Sequence, residues 1–146
     1  MRNGITAFMG VFGSAIAYCF GGWSESMTTL IIFMAIDYIT GMIVAGVFKK
    51  SPKSENGALE SRAGFKGLIR KGVALLVVLI ACRLDLLIGS VSFVRDSVII
   101  AFIVNETISI MENAGLMGIP LPIAITKAID ILKVKAKEEE DMIDDK

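Results

Sequence analysis

Histidine is absent from the 146-residue chain, and cysteine occurs only twice, as Cys19 and Cys82. Without histidine the commonest neutral-pH base and metal ligand is missing. The two thiols lie far apart inside apolar runs, which excludes a CxxC metal knuckle and a disulfide framework and leaves both as small apolar fillers. No glycine-rich phosphate loop follows a strand pattern, and no serine or cysteine has an evident activating partner. The sequence therefore implies no cofactor, no metal and no enzyme. An excess of charge is missing too: fifteen basic residues balance fifteen acidic ones, so nothing argues for a nucleic-acid partner.

Apolar sequence is what the chain has in quantity. Hydrophobic residues make up 54% of it, and mean hydropathy is +0.68. Four apolar runs cover residues 5–20, 27–48, 72–88 and 94–116. A bilayer core about 30 Å thick needs about 20 helical residues to cross. The second and fourth runs meet that length comfortably, and the first and third are marginal. Arg2 before the first run, with Ala15-Ile16-Ala17 within it, has the look of a cleavable leader, but Tyr18, Cys19 and Phe20 carry the apolar run past the cut and favour an uncleaved helix. The expected fold is an all-α integral membrane protein of about four transmembrane helices, the alternative being three spans with a non-spanning first helix.

Charge is segregated between the runs. Residues 49–71 carry seven basic side chains against Glu55 and Glu60, a net +5. Basic loops resist translocation, so this segment is expected in the cytoplasm, and four spans then place both termini there. Within it Arg62, Lys66 and Arg70 recur every four residues, with Leu59, Ala63, Leu68 and Ile69 largely away from them. That pattern predicts an amphipathic helix on the inner face, with Arg62, Lys66, Arg70 and Lys71 as contacts to anionic lipid. Beyond Gly118, Pro120 and Pro122 a second amphipathic helix is predicted from Ile125, Ala128, Ile129 and Leu132, ending in a charge run. The organisation is thus a membrane domain over 1–118 and a helix with a charged cytoplasmic tail over 119–146.

Ionisable groups inside apolar runs cost at least about 2.5–3.5 kcal/mol at a helix centre, so each is a functional candidate. Asp37 falls in the middle of the second run, and Asn105 and Glu106 fall at a similar depth in the fourth. The two carboxylates are expected to meet at one level, where they could gate or pack helices. Arg83 is a possible counter-ion, but an antiparallel hairpin puts it nearer the outer surface, beside Asp85 and Asp96. Small residues at four-residue spacing, Gly13, Ala17 and Gly21 on the first helix and Gly41 and Ala45 beyond Asp37 on the second, mark candidate helix-packing stripes.

Several motifs in order give the chain a family likeness: Asp37-Tyr38-Ile39-Thr40-Gly41 with Ala45; Ser61, Gly64, Lys66-Gly67 and Lys71; Asp85; then Asn105 through Asn113, followed by Gly118, Pro120 and Pro122. Over roughly residues 31–132 the chain resembles the toxin secretion/phage lysis holins, the Cp-1 type of phage holin. That resemblance implies a protein that oligomerises in the bacterial cytoplasmic membrane and opens lesions, releasing an endolysin or a toxin at lysis, with an antiholin as a further possible partner. Two other readings fit the same residues: a small ion channel or transporter subunit working through its mid-membrane carboxylates, and an antiholin-like partner that co-assembles without opening anything.

Overall fold

The computed structural model describes residues 2–144, and within them the fold is entirely helical. Helix α1 spans Arg2–Cys19, α2 Glu25–Ile43 with a π-helical turn over Val44–Phe48, α3 Ser61–Ile88, α4 Phe93–Leu116 and α5 Ile123–Asp144. The end of the charged tail, Asp145 and Lys146, lies outside the described residues.

Local chemistry sets the boundaries. Gly21 and Gly22 take positive φ between α1 and α2. Ser24 then caps α2 by accepting from the Met27 amide at 3.2 Å, with Glu25 in the first turn where an acidic group suits the helix dipole. Gly89 closes α3 in the left-handed region, and Gly118 does the same after α4 with the Ile119 amide returning to Ala114 O. Gly57 is required on two counts: its φ is +76°, and a Cβ there would run into the Lys49 carbonyl as the 49–60 loop folds back.

One expectation is corrected. The basic amphipathic segment and the third apolar run are not an interfacial helix followed by a span but one continuous 28-residue helix, α3. At about 1.5 Å per residue it is about 42 Å long, more than a bilayer core requires. The change of composition at Gly72 marks no structural break, because the i→i−4 ladder is blind to side-chain polarity.

Helices α2, α3 and α4 form the bundle, and α2 and α4 share its largest interface. Seven-residue spacing runs through the buried faces: Leu30, Asp37 and Val44 on α2; Lys71, Val78 and Asp85 on α3; Ile99, Glu106 and Asn113 on α4. That period keeps one stripe of each helix against its neighbours. The end nearer the α2 N-terminus is apolar, built from Met27, Leu30, Met34, Val78 and Ile99 with Phe20, Phe102 and Ile103 around them. The other end is polar. Much of the outward surface is apolar: Leu76, Ile80, Leu84 and Leu87 of α3 are all exposed.

Helix α1 stands apart and has no extensive interface with the other helices. Residues 3–16 are exposed on every side, and nothing approaches Gly4, Gly10 or Gly13. Of the expected first stripe, Gly13 meets no other element, Ala17 is half-buried and Gly21 belongs to the turn, not the helix. Among the described residues Glu25–Phe48 alone is long and apolar enough to cross a membrane unaided; Asn3–Cys19 is apolar but shorter. The fourth run, expected to span comfortably, falls short of that standard.

Candidate functional site: a shared lysine between helices

The polar end of the bundle is organised around Lys71. Its ammonium donates to Asp37 Oδ2 at 2.8 Å and also to Glu106 Oε2. All three side chains are largely buried, with 7% of Asp37, 13% of Lys71 and 14% of Glu106 accessible. One helix supplies each member, so the triad ties α2, α3 and α4 at one level. Removing such charges from water is costly unless each finds a partner, and here one cation serves two anions.

Asn113, one heptad beyond Glu106, completes the arrangement. Its amide donates to Asp37 Oδ1 at 3.1 Å, Thr40 Oγ1 at 2.9 Å and the Asp37 carbonyl at 3.3 Å. Gly41 lies beside it, where a Cβ would stand in ordinary contact, 3.7 Å from Asn113 Nδ2. Ala45 is buried one turn further on, and Gly64 of α3 faces the Tyr38 hydroxyl. The Asp37-Tyr38-Ile39-Thr40-Gly41 motif is thus the surface that receives both α3 and α4.

Two sequence assignments need correction here. Lys71 does not lie on the inner-face stripe with Arg62, Lys66 and Arg70; it is turned inward. The reason is angular: 71 is one residue, about 100°, past 70, and heads the buried face that continues through Ala74, Val78 and Cys82. Asn105 is exposed and outside the hydrogen-bonded network, and Asn113 fills the place expected of it.

At the opposite end Asp85 is buried and binds the start of α4. Its carboxylate accepts from the Val94 amide at 2.9 Å, the Arg95 amide at 2.8 Å and the Ser90 hydroxyl. Unpaired first-turn amides and the positive dipole end make this a strong position for an anion. Asp85 therefore staples the α3–α4 hairpin and does not pair with Arg83. Arg83 is exposed and forms no ion pair among the described residues. Asp96 pairs instead with Arg95 at 3.0 Å, and Arg95 also donates to the Phe20 and Gly21 carbonyls at 3.1 and 3.2 Å. That contact tethers the α1–α2 turn to α4.

Residues 14–134 match the bacteriophage holin family. An uncharacterized protein of Listeria innocua is 35% identical over 144 residues, 99% of this chain and 94% of its own. An uncharacterized 14.9 kDa protein of Clostridium perfringens is 36% identical over 124 residues, 84% of this chain and 88% of its own. A protein of Bacillus phage phi105 named "Probable holin" is 30% identical over 119 residues, 82% of each chain. No solved structure matches.

Proposed function

Since this chain belongs to the bacteriophage holin family, we propose that it gathers in the bacterial cytoplasmic membrane, self-associates and opens lesions through which an endolysin or a toxin leaves the cell. Four spans, both termini in the cytoplasm and the basic 49–71 region at the inner face are part of this reading. The apolar outer faces of α1 to α4 suit such a setting, since soluble monomers rarely expose contiguous apolar patches above a few hundred Å². Arg62, Lys66 and Arg70 would meet the anionic inner leaflet.

The observation that carries the mechanism is the Asp37–Lys71–Glu106–Asn113 network, polar groups held between helices whose outward surface is largely apolar. In the closed bundle each polar group satisfies another. When helices part, the same groups become a wettable lining without any chemical change, so a tight bundle and a water-filled lesion are two packings of one set of residues. Asp37→Asn and Glu106→Gln should each shift the time of lysis, because each alters the charge balance that holds the bundle shut.

The test is expression beside a cytoplasmic muralytic enzyme. Abrupt lysis with the enzyme released is the expected result. Depolarisation with no protein release would replace this reading with that of an ion channel, and delay of another holin's lysis with no lesion would make the chain an antiholin-like partner.

A further inference from the structure

Between α3, α4 and the 49–60 loop lies an open cleft of about 560 Å³. Asp37, Lys71 and Glu106 form part of its lining, and so do Lys53, Lys66 and Arg70. The first three already satisfy one another. The last three are exposed, and none is within ion-pair distance of a carboxylate among the described residues. Four cations against two carboxylates leave the cleft with a formal charge of +2. Its remaining wall is partly apolar, through Ala74 and Phe102, and exposed Val73 and Val77, three and seven residues beyond Arg70 and so on nearly the same side of α3, carry the apolar surface onward. Arg62, on the same basic stripe, does not line it.

An anion with an apolar tail fits this combination better than an ion alone. We propose that the cleft seats the phosphodiester headgroup of an anionic phospholipid, with Lys53, Lys66 and Arg70 as its phosphate ligands and the acyl chains leaving past Phe102 and the exposed apolar face of α3. Arginine offers the phosphate a planar two-point fork, and the two lysines close on it as mobile point charges. The volume is ordinary for a small-ligand site. A choline headgroup would bring a fourth unpaired cation toward the three and is disfavoured. The inference rests on the membrane reading above, since a lipid reaches the cleft only where α3 enters a bilayer near Arg70. It differs from general attraction of a basic helix to a charged surface because it separates Arg70 from Arg62.

The experiment is native mass spectrometry of the full chain in detergent, titrated with phosphatidylglycerol, phosphatidylcholine or inorganic phosphate. Phosphatidylglycerol should be retained in preference to the other two. Lys66→Gln and Arg70→Gln should each weaken its retention about tenfold, the scale of one charge-assisted hydrogen bond, and Arg62→Gln, a surface contact outside the cleft, distinctly less. Circular dichroism checks the fold of each variant, and Lys53→Gln, on a loop outside the helices, gives an independent reading. Equal loss in Arg62→Gln and Arg70→Gln would reduce the effect to diffuse adsorption. Retention of phosphate as strong as that of lipid would make this a free-phosphate site, and equal retention of phosphatidylcholine would remove the headgroup's role; each result overturns the proposal. Lysis without selective lipid retention sinks this inference alone, whereas retention without lysis sinks only the holin reading.

Discussion

Lys71 is the residue on which the polar end depends. Lys71→Met would leave Asp37 and Glu106 facing each other without a cation, and stripping one partner from a buried ion pair typically costs about 3–5 kcal/mol. A melt in detergent should show a large fall in midpoint temperature, and adding Asp37→Asn with Glu106→Gln to that variant should recover much of it, because no buried charge then remains unpaired. Asp85→Ala tests a different device, the anchor on α4's first turn. Loss of an N-terminal cap costs about 0.5–2 kcal/mol, so a smaller fall is expected by the same measurement. The meeting of Asp37 and Glu106 at one level was legible from their depth in the apolar runs. Lys71 was not, because membership of a basic stretch assigns a residue to the surface unless its angle is weighed. The signal lay in the seven-residue spacing of Lys71, Val78 and Asp85, which also links Glu106 to Asn113.

Among the helices, boundaries followed hydropathy well: α1, α2 with its π-turn, and α4 lie within a few residues of the apolar runs. The division of α3 did not follow. A switch from charged to apolar residues marks where an environment changes, and one helix can pass through both. Gly72 stands at that switch with open space around it, so Gly72→Ala should raise stability by about 1 kcal/mol through helix propensity alone, read in the same melt. Arg95 binds the α1–α2 turn at two carbonyls, the link from α4 to it. Arg95→Gln should therefore speed amide hydrogen exchange across residues 20–23 while leaving mid-α4 protected; unaltered exchange in the turn would show that the tether is redundant.

For the molecule as a whole, orientation is the open test of the four-span reading. In a background with Cys19 and Cys82 replaced by serine, Asn3→Cys, Glu55→Cys and Lys137→Cys, all at exposed positions, should each react with an impermeant maleimide from the cytoplasmic side only. An Asn3→Cys variant labelled from outside would leave three spans and a first helix that does not complete a crossing.

Helix α1 has a consequence that belongs to populations of molecules. Because residues 3–16 have no extensive interface with the other helices of their own chain, a second molecule is the proposed source of further packing on that helix. By mass action that gain grows with the number of copies per unit area of membrane, whereas the stability of α2, α3 and α4 is already present in a single copy. On the self-association proposed above, α1 would act as a density gauge: sparse molecules would leave it solvated by whatever surrounds it, and crowding alone, with no ligand or modification, would change its state.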